Sequence, residues 1–283
     1  MSVESRSTTR RRYIARYLRD LRDSKRYTLE AAGRLLDRSP SSLSMIENAR
    51  QGVRPRDLEH ILRRYGVPID GPDARGLIEL TRQDTRSGWW AVYGDLMTPE
   101  ALDLCSLEAN TGSFRHLAVD SVPGLAQTED YAAAMIMNQM GDIDGAIGRR
   151  YVEFRMERQQ VLHGPHRPDL HFIIDESGLR RAPAGDRVMR VQLERLLQLS
   201  EHPGTTIQVR PYESLVLIGP PYSILQLART NITLILVEQL FNRWVVDDQP
   251  KARQYQEAFT RASALLPTPA ESRDIIHRIA SAL

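Results

Sequence analysis

Between Thr28 and Arg50 the chain reads TLEAAGRLLDRSPSSLSMIENAR, and no other stretch restricts the fold as tightly. Thr28 is a good N-cap for a short helix running to about Leu36. Asp37-Arg38 makes a tight break. Ser39 then caps a second helix with Pro40 in its first position, where a missing N–H costs nothing and the fixed φ already suits a helix. In that second helix Leu43 and Ile46 are expected inward, with Ser41, Ser42, Ser44, Met45 and Asn48 facing out. Two short helices joined by a tight turn, the second polar on its outer face, make a helix-turn-helix; the alternative is a plain αα-hairpin from a helical bundle.

Charge separates these two readings. Residues 1–66 carry sixteen Arg or Lys against eight Asp or Glu, while the whole chain has 38 against 36. The excess of positive charge therefore sits on the segment with the hairpin, and the remainder is acidic. Neutralising phosphates and releasing their counterions needs such a concentration of cations. In a DNA-binding helix-turn-helix the second helix enters the major groove, so double-stranded DNA is the expected partner.

At 283 residues the chain suits a small domain plus a larger one. Cys105 is the only cysteine, which leaves no intramolecular disulfide and no cysteine zinc site. The start, MSVESRSTTRRR, has no apolar stretch behind its charges and does not read as a signal peptide. No run of about eighteen apolar residues occurs, so no membrane span is expected. The expected location is the cytoplasm.

The first domain reads as five helices over 1–81. Ile14, Leu18 and Leu21 are spaced for a helix from Arg12 to about Asp23, and the hairpin pair follows. Gln51 to Arg56 reads as a loop. Leu58, Ile61, Leu62 and Tyr65 mark a fourth helix, and Asp70-Gly71-Pro72 starts a fifth. Ser39, Leu43, Ser44, Ile46, Glu47, Asn48 and Arg50, with Tyr65-Gly66-Val67 after the fourth helix, resemble the XRE-type (lambda-repressor-like) helix-turn-helix family and its SxxxISxIENGR signature. Ala49 departs from the family's glycine, and Met45 lies where a longer polar side chain is common.

Reach and chemistry select the candidate DNA contacts. Ser41, Ser42 and Ser44 can donate to phosphates or base edges, and Ser39 and Met45 lie on the same short helix. Asn48 has two readings, a pair with adenine or a brace for the following loop. Arg38, Arg50 and Arg54 flank the helix as phosphate contacts, which position without specifying. The arm with Arg6, Arg10, Arg11 and Arg12 reads equally as a minor-groove arm or as disorder. Glu47, acidic in a basic surface, reads as structural and tied to an arginine.

Residues 82–88 read as a polar linker, and 89–283 as a second domain opened by the aromatics Trp89, Trp90 and Tyr93, expected in a core. Thr128 is expected to cap a helix, and further helices are expected near 147–162, 186–201, 250–265 and 269–282. The runs at 170–175, 205–210, 222–228, 233–238 and 244–246 have strand composition. Thr230-Asn231 suggests a hairpin. The expected class is therefore α+β: an all-α lambda-repressor-like head plus a mixed α/β domain with a partly antiparallel sheet.

Trp89-Trp90, Val122-Pro123-Gly124-Leu125, Gln127-Thr128-Glu129-Asp130-Tyr131-Ala132, Arg155, Arg158-Gln159, Asp175-Glu176 and Gln192-Leu193 resemble the C-terminal domain attached to XRE heads in many actinobacterial regulators, the WhiJ-like group. That resemblance implies a developmental or antibiotic-production regulator, often encoded beside a small partner protein in a system likened to toxin–antitoxin pairs.

Chemistry in the second domain has little support. Asp175, Glu176, Glu194, Glu238, Asp247 and Asp248 are candidates for an acid/base pair but fall mostly at strand ends. No nucleophile elbow, phosphate-cradling glycine loop or dinucleotide fingerprint occurs. His163, His166 and His171 around Gly164-Pro165 are candidate metal ligands, read more simply as solvated loop histidines. No cofactor, metal or catalysis is expected. Three readings stay open: a homodimeric regulator whose second domain binds a small protein, a one-component regulator holding a small-molecule ligand there, and a DNA-tethered enzyme.

Overall fold

The computed structural model describes residues 8–82, 88–141, 144–164, 167–216, 219–228, 232–238, 243–246 and 248–283. The chain forms an N-terminal helical region followed by a mixed α/β domain with a six-stranded, partly antiparallel sheet. Two compact units emerge. One comprises 1–110 with 226–233 and 247–249; the other holds the remainder.

The helical region is built from α1 (Thr9–Ser24), α2 (Leu29–Leu36), α3 (Pro40–Glu47), α4 (Pro55–Arg64) and α5 (Pro72–Arg82). The expected caps are present. The Thr28 hydroxyl accepts from Ala31 N–H, and the Ser39 hydroxyl accepts from Ser42 N–H. Between them Asp37 adopts φ 54° and ψ 43°, a left-handed conformation that Asp tolerates better than most residues. Arg38 N–H closes the turn on the Gly33 carbonyl at 2.9 Å. Ile14, Leu18, Leu36, Leu43, Ile46, Leu58, Ile61, Leu62 and Leu77 form the core.

Two expectations for this region need correction, and one helix was not expected. Pro55 and Arg56 are not loop: Pro55 opens α4 at a first-turn position, by the same logic that places Pro40 in α3. Arg10, Arg11 and Arg12 are not an arm but the first turn of α1, capped by Thr8; Arg6 lies outside the described residues. A helix absent from the sequence reading, α6 (Pro99–Glu108), holds Arg10 in place. Asp103, fully buried, meets Arg10 Nε at 2.6 Å, and Arg10 Nη2 donates to the Ser106 hydroxyl at 2.8 Å. Burial pushes the Asp103 carboxyl up from its ordinary range against the pull of Arg10. Trp90 and Tyr93, in a 3-10 turn over Trp89–Tyr93, are buried. Of the expected 82–88 linker, residues 83–87 lie outside the described ones.

The sheet order is β3-β2-β1-β4-β5-β6, formed by β1 (Thr111–Ala118), β2 (Asp169–Asp175), β3 (Thr205–Arg210), β4 (Tyr222–Leu227), β5 (Thr233–Glu238) and β6 (Arg243–Val246). β1–β2 and β2–β3 are parallel, with Leu117 opposite Ile173 and Ile173 opposite Gln208; β5–β6 is antiparallel. Parallel neighbours need long crossovers. Those are α7 (Glu129–Met140) with α8 (Gly145–Arg158), and α9 (Glu176–Arg180) with α10 (Asp186–Ser200). On one face, Leu117, Ile173, Tyr222, Ile224, Ile235 and Val237 pack under Ala252, Phe259 and Ala262 of α11 (Gln249–Leu265). The chain ends in α12 (Pro269–Ser281). Five of these strands coincide with the runs of strand composition, whereas β1, an interior strand, has no such run. The suggested hairpin turn at Thr230-Asn231 lies outside the described residues.

Candidate nucleic-acid interface

Helix α3 presents what the sequence reading expected. Leu43 and Ile46 are buried, Ser41, Met45 and Asn48 are exposed, and Ser42 and Ser44 are half-buried. Its placement depends on Glu47. The Glu47 carboxylate receives Arg22 Nε at 2.8 Å and Nη2 at 2.9 Å, a two-point clasp from α1. Charge-assisted pairs of this geometry fix orientation as well as adding energy. The clasp raises the Arg22 pKa further, and burial, with Glu47 nearby, pushes the Tyr65 phenol up to about 12.

Asn48 braces. Its side-chain amide donates to the Ser44 carbonyl at 2.7 Å and to the Ser44 hydroxyl at 3.2 Å, and its Oδ1 accepts from Arg19 at 2.5 Å. The next residue, Ala49, has φ 56°. That left-handed position is where glycine is the residue without steric cost.

Cations surround the helix unevenly. Arg38, half-buried, is paired with Asp57 at 3.1 Å. Arg50 and Arg54 are exposed and carry no ion pair among the described residues. The same holds for Arg34 in the last turn of α2 and Arg56 in the first turn of α4. Neither Arg34 nor Arg56 is among the contacts expected from the sequence. Their signal was available: each sits within one turn of a helix end beside the hairpin.

Of the carboxylates and histidines that are candidates for chemistry, Asp175, Glu176, Asp248 and His171 have partners within the protein. Asp175 caps α9, bonds Ser177 and pairs with Arg210 at 2.6 Å; these hydrogen bonds and that charge hold its carboxyl low against the opposing effect of burial. Glu176 takes Arg180 at 2.6 Å and accepts Tyr212 N–H at 3.0 Å. Asp248 pairs with Arg16 at 3.0 Å, and Glu194 is exposed. The side chain of Glu238, the whole of Asp247, and His166 lie outside the described residues. His163 is exposed, whereas His171 stands within β2 bonded to Gln208 at 2.8 Å, which corrects its assignment to a loop. Among the described residues no three His, Cys, Asp or Glu are grouped to hold a metal.

The landmarks around Pro123 also converge on backbone. Thr128 does not cap α7 with its hydroxyl; its N–H and hydroxyl both donate to Gln192 Oε1. Gln192 Nε2 donates to the Ala126 carbonyl, Gln127 Nε2 to that of Val122, and Gln159 Nε2 to those of Gly124 and Gln127. Arg155 closes the set on Gln127 Oε1 at 2.8 Å. Three glutamines thus satisfy the polar groups of a largely buried turn, which would otherwise cost free energy.

No helix among the described residues is long and apolar enough to cross a membrane. Comparison with known proteins gives two matches: residues 14–74 to a helix-turn-helix domain, and residues 101–278 to a domain of unknown function, DUF5753. No curated protein and no solved structure matches the chain. The helix-turn-helix match agrees with the capped α2–α3 pair, and the chain is a DNA-binding regulator of the helix-turn-helix type. Because the second match spans more than half of its length, the chain belongs to the DUF5753 family, with a helix-turn-helix domain on its N-terminal side.

Proposed function

We propose that this protein is a sequence-specific XRE-type transcriptional regulator that binds operator DNA as a homodimer, its second domain supplying the dimer contacts and recognising a small protein partner without catalysis. The observation that carries the reading is α3, clasped by Arg22 and flanked by the exposed cations Arg34, Arg50, Arg54 and Arg56. Dimerisation is supported by the shortness of the outward face of α3, which reads too few base pairs alone; two-fold related heads double the number read. Resemblance to WhiJ-like actinobacterial regulators supports a partner encoded nearby. The internal bonding of Asp175, Glu176 and the glutamines supports a domain without a catalytic role. A partner regulates only if it binds the DNA-competent and incompetent states with different affinity.

The test is a salt titration of duplex affinity with sedimentation of the same samples. Replacing Arg50 and Arg54 by Ala is expected to weaken binding to all sequences and to lower the salt slope by about two, one for each phosphate no longer neutralised. An unchanged slope would remove those arginines from the phosphate backbone. A monomer both free and on operator would remove the dimer.

A further inference from the structure

Met45 stands in water at 45% exposure near the middle of α3, between Leu43 and Ile46, each 2% exposed. Its side chain is not one of the buried apolar groups that make the core of the head. Ser41, Met45 and Asn48 follow one another at helical spacing along the outward face.

Most polar groups beside Met45 already have partners, with the Ser42 hydroxyl one helical turn back as the exception among the described residues. The Asn48 amide nitrogen donates to the carbonyl and hydroxyl of Ser44, and its carbonyl oxygen accepts from Arg19. A two-point contact with adenine needs that amide and that carbonyl together, so Asn48 as folded has neither to offer. The Ser44 hydroxyl accepts from Asn48, the Ser41 hydroxyl shares a bond with Ser39, and Glu47 is held by Arg22. Along this row the side chain with no competing use inside the protein is the apolar one.

We propose that Met45 is a base-reading residue and that it reads the C5 methyl of a thymine, so that each half-operator carries a thymine facing the middle of α3. This rests on the DNA-binding reading above and deepens it by naming the base. The major groove code contains one methyl group, that of thymine, and apolar side chains recognise it. An unbranched, polarisable thioether adapts to such a contact better than a β-branched chain. Burial of one methyl corresponds to about a fourfold gain in affinity per half-site.

The experiment uses the full chain. Duplexes enriched from a random pool define the operator, and each thymine is then replaced singly by uracil, which removes the methyl and leaves the hydrogen-bonding edge unchanged. The expected result is one thymine per half-site whose replacement weakens binding about fourfold. That sensitivity is absent in Met45→Ser and retained in Met45→Leu, with the helicity of both variants checked by circular dichroism. Salt-dependent binding without any methyl-sensitive thymine, or sensitivity that persists in Met45→Ser, would overturn the role of Met45 alone. Failure of the wild-type chain to bind any duplex at low salt would overturn DNA binding itself, and this proposal with it.

Discussion

Glu47 is 7% exposed in a segment where basic residues outnumber acidic ones two to one, and its partner Arg22 has a side chain only 12% exposed. Taking one member from a buried pair strands the other's charge, at a cost of about 3–5 kcal/mol in well-buried cases. Arg22 also reaches Asp23 and the Tyr27 carbonyl, which softens the loss. Glu47→Ala is therefore expected to destabilise the helical region by roughly 2–3 kcal/mol, read as a lower denaturant midpoint, and to weaken operator binding because α3 loses its clasp. A midpoint within error of wild type would refute the clasp. His171 offers a different residue-scale test. Burial and, less strongly, Arg115 hold its pKa below the usual value, against the bond to Gln208. Gln208 Nε2 donates to the carbonyls of Ser263 and Pro267, so its Oε1 faces His171 as acceptor and the imidazole is the donor at Nε2. A neutral folded histidine means the unfolded chain takes up its proton first as pH falls. Stability from this group is full above about pH 6.5 and is lost below it. Thermal unfolding between pH 7 and 5 should fall more steeply in the wild type than in His171→Asn; parallel curves would show that His171 titrates alike in both states.

Elements succeed or fail on single close approaches. Gly33 illustrates this at the α2–α3 turn, where an added Cβ would come within 2.6 Å of the Arg38 carbonyl oxygen. The obstacle is backbone that cannot rotate away. Gly33→Ala is expected to cost about 1–3 kcal/mol through forced separation of the two helices. Specific affinity should drop more than non-specific affinity, since the angle of α3 changes while the cations remain; equal losses would contradict this. Caps and periodicity made the head legible from residues alone: Thr28, Ser39 and Pro40 mark α2 and α3 to within a residue. The same rules, applied to Arg54-Pro55 and to Thr98-Pro99, find the starts of α4 and α6, where Pro again holds a first-turn position. β1 is a harder case. TGSFRHLA places Arg115 and His116 in an interior strand, and His116 is tolerated there because its ring nitrogen bonds the Ser223 hydroxyl at 2.7 Å. Such a pairing, 107 residues apart, has no local signature. Nor does strict alternation mark a strand in the parallel part of a sheet, where both faces are covered. Around α3, the expected outward placing of Ser41, Met45 and Asn48 agrees with their exposure, and Arg50 and Arg54 are exposed too. Asn48 stands between two readings in the sequence, because its partner Arg19 is 29 residues away and leaves no local signature.

For the molecule as a whole, the first compact unit runs through α6 to Asn110. A fragment ending at residue 88 would lack Asp103 and Ser106, the partners of Arg10, and the buried Leu104 and Leu107. Residues 1–110 are therefore expected to unfold at a higher temperature than residues 1–88, by roughly 4–8 °C for each kcal/mol those side chains supply. Equal midpoints would show that α6 contributes nothing to the head. The sheet order carries a consequence for how the protein is made. β1 pairs with β2 some fifty residues later, and its other neighbour, β4, begins only at Tyr222. Pairing over such separations is slow, because chain must be ordered before contacts reward it. On the ribosome the α2–α3 pair and the Arg22–Glu47 clasp can form from the first fifty residues. Strand β1, in contrast, waits with one side open until most of the polypeptide has emerged. A nascent chain stalled before β4 is thus a folded DNA reader attached to an unfinished sheet, and the exposed side of β1 is where it is most open to misassembly.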